Sequence, residues 1–265
     1  EMKRFLGQAV DSNPVAELDR YILEGGFPKA LDYPKMADKR VYVGSVIREI
    51  FEKDIRRRVK VKNVSVFNRV RDYVINNFGA TTSLTNILSD LEQQGVRIKR
   101  ETLNRYLQIL EDAKIISKCA RFDMKSRKSL QGEQKYYLAD LSFYFALNTD
   151  NRINYGPVLE NIVYSYARSL GYEVSVGRIG KLEFDFVMRS PEMEYAYVQV
   201  AMTIMNDRKT EDREYRPLEQ IRDSWPKFVI TRGDPIQHRG GIVHENVTEL
   251  IGEGRTCGMA QSSSP

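Results

Sequence analysis

The chain has 265 residues, 42% of them apolar and 29% charged, which is enough to bury one sizeable core or two or three small ones and excludes both a disordered chain and a disulfide-stapled miniprotein. No apolar run approaches the roughly 18 to 20 residues of a membrane span, and the start lacks the charged-then-apolar layout of a secretory signal, so a cytoplasmic protein with no membrane partner is expected. The net charge of +5 is unevenly spread: residues 48–135 hold 20 Lys or Arg against 11 Asp or Glu, a block of +9 that leaves −4 for the rest, and such a block is what a phosphate-binding surface requires.

Residues 1–60 read as a helical segment. Asn13-Pro14, Gly25-Gly26, Pro28 and Pro34 interrupt it, because proline removes a helix donor and glycine permits turn dihedrals. Val43, Val46, Ile47, Ile50 and Phe51 then recur at the offsets of one helical face.

Three helical patterns follow within 61–147. Phe67, Val70, Val74 and Phe78 form the first stripe, closed by Gly79. Thr81-Thr82-Ser83 offers hydroxyl caps to a second helix carrying Leu84, Ile87, Leu88 and Leu91, and Gln93-Gln94-Gly95 makes the turn. The third helix buries Leu103, Tyr106, Leu107 and Leu110, which leaves Arg100, Glu101, Asn104, Arg105 and Gln108 outward. Strands at 114–122 and 135–139 flank a loop holding Lys125, Arg127 and Lys128. Three helices and a basic two-stranded wing are the order of a winged helix-turn-helix, whose last helix enters the major groove of double-stranded DNA while the loop tracks phosphates.

The polar turn at 148–151 opens an α/β region, 148–251. Leu159, Ile162, Val163, Tyr166 and Leu170 mark a helix. Residues 181–188 alternate, with Leu182, Phe184, Phe186 and Met188 on one face and Glu183 and Asp185 on the other. A strand at 195–202, a helix at 210–225 and a strand at 227–231 complete the pattern, and 252–265 is a Gly/Ser-rich tail expected to be disordered. The predicted fold class is therefore mixed α+β: a helical segment, a winged helix-turn-helix and an α/β domain.

Glu160 on the helix, Asp185 in the next strand and Gln199 with Ala201 in the one after occupy the positions of a PD-(D/E)xK nuclease core. There, two or three oxygens converge on a hard divalent cation such as magnesium while a lysine steadies the attacking water or phosphate. Ala201 cannot serve as that lysine, so Lys181, Lys209 or Lys227 would have to reach the site from elsewhere. A structural alternative makes Asp185 an ordinary acid beside Arg178 or Arg213. Two cysteines, Cys119 and Cys257, and two histidines, His238 and His244, have no zinc-ligand spacing, so any metal would need carboxylates. Gly180-Lys181 lacks the upstream glycine and following Ser or Thr of a phosphate-cradling loop, so this stretch alone is not expected to hydrolyse ATP.

Taken together, residues 21–28 (Tyr-Ile-Leu-Glu-Gly-Gly-Phe-Pro), 47–55 with Glu52-Lys53-Asp54, 136–141 (Tyr-Tyr-Leu-Ala-Asp-Leu), Leu159-Glu160-Asn161, Glu183-Phe184-Asp185-Phe186 and Gln199-Val200 resemble the predicted prokaryotic AAA-type ATPases that end in a characteristic domain of unknown function. The resemblance runs to about residue 251. It implies a winged helix followed by a restriction-endonuclease-like domain, with ATP handled by an N-terminal ATPase domain that would precede this chain and act as its partner. Many such proteins have Gln in place of the strand acid and no lysine, as here, so the resemblance implies a degenerate nuclease domain used for binding or docking.

The expected function is a non-catalytic DNA-binding and assembly region of a larger AAA-type ATPase, as a monomer or a homo-oligomer. Arg100, Asn104, Arg105, Gln108, Lys125, Arg127 and Lys128 would contact DNA. The alternatives are a magnesium-dependent nuclease using Glu160 and Asp185, and a protein-interaction module that binds no nucleic acid.

Overall fold

The computed structural model describes residues 13–55, 61–126, 128–147 and 155–252. The chain divides into two compact units, one of residues 1–118 and 132–153 and the other of 119–131 and 154–265. The division cuts through the β-hairpin, whereas the sequence pattern places the whole hairpin with the three helices. Arg127, Cys257 and the polar turn at 148–151 lie outside the described residues. No helix among the described residues is long and apolar enough to cross a membrane.

In the first unit, α1 (Pro14–Glu24) starts where the Asn13 side chain accepts from the Val15 amide and Pro14 fills a position whose N–H would have no partner. A 3₁₀ turn (Pro28–Asp32) leads to α2 (Met36–Glu49), which runs on as a π-helical stretch, Ile50–Ile55. Val43, Ile47 and Phe51 are buried along it, as their spacing predicts.

The glycine pair after α1 meets the stretch around Asp140, 114 residues away: the Gly26 amide donates to Asp140 Oδ2 at 2.7 Å. The other carboxylate oxygen accepts from the Ser142 amide at 2.8 Å and its hydroxyl at 2.5 Å, and Phe27 packs on Phe143 with ring centroids 5.5 Å apart. Burial pushes the Asp140 carboxyl above its ordinary range, and the Ser142 and Gly26 hydrogen bonds pull it back. Two of the short stretches that carry the family resemblance are thus halves of one joint.

Helices α3 (Val64–Asn76), α4 (Leu84–Gln93) and α5 (Arg100–Asp112) follow. Asn63 caps α3, accepting from the Val66 amide, and Ser83 caps α4, accepting from the Asn86 amide. Phe67, Val70, Val74, Ile87, Leu91, Leu103, Tyr106, Leu107 and Leu110 are buried between them, while Leu84 and Leu88 are half-buried. The hairpin of β1 (Ile116–Asp123) and β2 (Lys128–Leu138) leaves this unit and returns to it before α6 (Ser142–Leu147). Both strands run nearer the tip than the sequence pattern implies, and Lys128 opens β2 instead of lying in the loop.

The second unit contains α7 (Tyr155–Ser169), β3 (Glu173–Ile179), β4 (Leu182–Arg189), β5 (Tyr195–Ala201), α8 (Arg208–Glu219), β6 (Lys227–Thr231), β7 (His238–Arg239), β8 (Ile242–Asn246) and α9 (Val247–Gly252). With the outer part of the hairpin the strand order is β2-β1-β3-β4-β5-β6-β8-β7. β3, β4 and β5 form an antiparallel meander, β1 joins β3 in parallel, and β6 and β8 extend the sheet in parallel beyond β5. The sequence pattern carried the second helix on to residue 225, whereas α8 ends at Glu219. Pro217 withdraws a helical donor and Pro226 disfavours the helical conformation for Trp225.

The expected alternation of 182–188 is broken. Ser175 pairs with Val187 but Gly177 pairs with Phe184, so two steps along β3 match three along β4 and β4 carries an extra residue. Phe184 therefore shares a core with Val187, Tyr197, Tyr215 and Leu218 beneath α8. Phe186 instead meets Tyr164 of α7 at 6.2 Å, on the other face of the sheet.

Candidate nucleic-acid interface

Helix α5 is bolted down on its apolar side and open on the other. The Tyr106 ring meets Phe67 edge-on at 5.2 Å and its hydroxyl donates to the Asn63 carbonyl at 3.4 Å. Tyr73 of α3 donates to Asp90 of α4, joining the two supporting helices. Arg100, Glu101, Asn104, Arg105 and Gln108 are all exposed. Arg100 Nη1 donates to Thr85 Oγ1 at 3.2 Å, which ties the start of α5 to α4, and Gln108 Nε2 donates to Asp112 at 2.9 Å.

Asn104 and Arg105 make no hydrogen bond or ion pair with the described residues, so their donors face solvent. Arg97 and Lys99, in the turn before α5, are also exposed. Together with Arg100 they place three cations at the helix start, whose own dipole also favours anions. The Arg-x-Lys-Arg spacing stands in the sequence, but most of it precedes the helix, where the 3.6-residue period carries no signal.

Lys125 and Lys128 are exposed in the hairpin, on residues that belong to the second unit. Asp123 shapes the hairpin tip: its Oδ1 accepts from the Lys125 amide at 2.8 Å and the Ser126 amide at 3.3 Å.

Of the three candidate nuclease positions, Asp185 is buried at the bulge of β4, and its Oδ2 accepts from the Val200 amide at 2.8 Å. The extra residue turns this carboxylate toward the neighbouring strand. Gln199 points to the opposite layer, where its Nε2 donates to Glu214 of α8 at 2.7 Å and its Oε1 is buried without a partner. Glu214 also takes the Arg213 guanidinium at 2.7 Å, and Arg178 binds the Gly180 carbonyl. Glu160 is carried by α7, which packs on the face of the sheet away from Gln199 and Glu214. Glu214 gave no signal in the sequence, since it sits in a run of mixed charges that reads as a solvated helix start; only its burial sets it apart.

A buried relay fixes the end of β6 and β8. The Gln237 amide donates to His244 Nδ1 at 3.0 Å, so the ring proton sits on Nε2 and faces Thr231 Oγ1 at 2.9 Å. Thr231 donates to Asn246 Oδ1 at 2.9 Å, and Asn246 donates to the Asp234 carbonyl at 3.0 Å. Burial pushes the His244 pKa below its ordinary value, with Asp234 and Glu249 pulling it partly back up. Because the folded value lies below the unfolded one, this contribution is complete above about pH 6.5 and is lost as the pH falls through the folded value, where the unfolded chain binds the extra proton first. The thermal midpoint of the wild type is expected to fall more steeply between about pH 7.5 and pH 5.5 than that of His244→Gln; parallel curves would contradict the assignment.

A family model described as "Domain of unknown function (DUF8612)" matches residues 15–154. An "Uncharacterized protein" of Haemophilus influenzae is 29% identical over 219 residues, 82% of this chain and 52% of that protein. "Uncharacterized protein MJ1544" of Methanocaldococcus jannaschii is 28% identical over 161 residues, 59% of this chain and 36% of that protein. The chain thus spans about half the length, or less, of these curated relatives. No solved structure gives a significant match.

Proposed function

Because the chain belongs to the DUF8612 family, whose description assigns no activity, we propose a function from its surfaces: a non-catalytic DNA-binding and assembly region of a larger AAA-type ATPase. The observation that carries this reading is the outward face of α5, where Arg100, Asn104, Arg105 and Gln108 stand exposed on a helix whose opposite side is buried. We read α3, α4, α5 and the β1–β2 hairpin as a winged helix-turn-helix, with α5 as the helix that enters the major groove. Arginine and asparagine at these positions match guanine and adenine edges, and Arg97, Lys99 and Lys128 suit phosphates. Arg127 completes the proposed wing in sequence and lies outside the described residues.

The ATPase part of the proposal rests on the resemblance and on the length of a relative outside the match: 52% of the Haemophilus influenzae protein is covered, and the rest leaves room for a second domain. ATP would be bound there and not by this region. We read the sheet of the second unit as a nuclease-like scaffold without its cutting chemistry. A hard divalent ion such as magnesium asks for several anionic oxygens. Here Asp185 accepts a backbone amide, Glu214 is held by Arg213 and Gln199, Gln199 Oε1 is neutral, and Glu160 is carried by α7 on the other face of the sheet from Gln199 and Glu214. Among the described residues no group of three or more His, Cys, Asp or Glu is gathered to hold a metal. Asp185, Glu214 and Gln199 do not by themselves make such a set.

The test is a mobility-shift titration of the chain with duplex DNA at several salt concentrations. Affinity is expected to fall linearly on a log–log salt plot, because each phosphate contact releases counterions. Arg105→Ala should cost about 1–3 kcal/mol at one base position and relax preference there, and Lys128→Ala should weaken all sequences alike. Absence of binding to any duplex at low salt would overturn the reading. Magnesium-dependent plasmid cleavage that Asp185→Asn abolishes would overturn its non-catalytic part.

A further inference from the structure

We propose that the turn joining β3 to β4 carries a second contact for the DNA backbone, in which Lys125, Arg178 and Lys181 surround Gly180 and bind phosphodiester oxygens. The inference rests on the DNA-binding reading above and extends it to residues of the second unit.

The hairpin tip and the turn are tied together by backbone: the Met124 amide donates to the Arg178 carbonyl at 2.9 Å. Arg178 folds over the turn, its Nε donating to the Gly180 carbonyl at 2.9 Å. The Lys125 ammonium stands 3.4 Å from where a side chain on Gly180 would begin, and Lys181, the next residue, is exposed. Three cations from two segments therefore gather around one turn.

The acids nearby are already engaged. Asp123 accepts the Lys125 and Ser126 amides, and Glu183, which stands across the strand pair from Arg178, takes the Arg121 guanidinium. Among the described residues, Lys125, Arg178 and Lys181 make no ion pair. With Arg121 the patch holds four cations against two carboxylates. Like charges a few Å apart repel by about 1 kcal/mol even in water-like surroundings, so an excess of cations over carboxylates favours an incoming anion.

A nucleic-acid backbone suits the patch better than a protein or lipid surface. None of the exposed large apolar side chains among the described residues falls in 121–126 or 176–184, whereas protein interfaces are built around apolar and aromatic cores depleted in lysine. Membrane-surface helices likewise insert an apolar face, which this turn lacks.

The experiment is fluorescence-anisotropy titration of labelled duplexes of unrelated sequence across a salt series, with wild type, Lys181→Ala, Lys125→Ala/Lys181→Ala and Lys181→Arg. Arg178 is left unchanged because it braces the turn. The alanine variants should bind every duplex more weakly by a similar factor, and the log–log salt slope should shrink by about 0.9 for each lysine removed. Lys181→Arg should keep the wild-type slope. If wild type binds duplex and the double variant keeps its affinity and slope, the second contact is wrong and the α5 interface stands. If wild type binds no duplex, the DNA reading fails and this contact with it. Binding of anionic phospholipid vesicles, lost in the double variant while duplex binding is not, would overturn the choice of nucleic acid.

Discussion

The Gly25→Ala chain is expected to lose a large share of the stability of its first unit. Gly25 closes α1 with φ 75° and ψ −169°, a region open almost only to glycine, where any other residue costs about 1–3 kcal/mol. A β-carbon there would also collide with the Asp140 carboxylate, lying 2.5 Å from Ser142 Cβ and 2.8 Å from its Oγ. Those groups cannot move freely, because they hold the Gly26 amide and the start of α6. Forcing an extra carbon into such a contact costs about another 1–3 kcal/mol. The sum is a large fraction of the 5–15 kcal/mol typical of a domain.

Urea unfolding followed by circular dichroism measures this, with Gly95→Ala as the reference. Gly95 also has positive φ, at 79°, but nothing lies within 4 Å of its would-be β-carbon, so its replacement carries the backbone cost alone. Equal losses for the two variants would mean that the Asp140 joint contributes nothing. Asp140→Ala in the Gly25→Ala background should recover part of the difference, since it removes the nearest of the groups in collision and leaves Ser142.

Gly177→Ala is the corresponding experiment in the second unit, and its physics is different. No positive φ is involved at Gly177; the demand comes from Phe184, whose ring lies over the glycine in the register pair of β3 and β4. A β-carbon would overlap that ring, with Cε1 at 2.5 Å. Phe184 is 1% exposed and meets Tyr197 edge-on at 6.0 Å, so it cannot step aside without disturbing the core under α8. A loss of about 1–3 kcal/mol is expected from overpacking. In a double-mutant cycle with Phe184→Leu, the cost of Gly177→Ala should shrink by about 0.5–3 kcal/mol, the usual coupling of residues in contact. Additive losses would show that the ring does not impose the glycine.

The same pair explains why β3 was absent from the sequence pattern. Val174 and Val176 begin an alternation, and Gly177 then reads as a breaker, since glycine weakens a strand interior by local propensity. What selects it is a ring 7 residues further along the chain, which no local rule contains. The extra residue in β4 acts likewise: a strict two-residue period sends Phe184 and Phe186 to one face, and the bulge sends them to opposite faces.

Sequence by itself determined the elements whose cause is local. The cap at Ser83, the breaks at Asn13-Pro14, Gly25-Gly26 and Gly95, the buried stripes of α3 and α5 and the outward set Arg100, Asn104, Arg105 and Gln108 all follow from hydrogen-bond termini, turn residues and 3.6-residue periodicity, which act within a few residues. Tertiary structure alone decided where the two units divide, that Asp140 closes on Gly26, that Asp185 serves a neighbouring amide and that Glu214 is buried against Gln199. Each of these depends on a partner far away in the chain, and burial and pairing across such distances are set by how the elements pack.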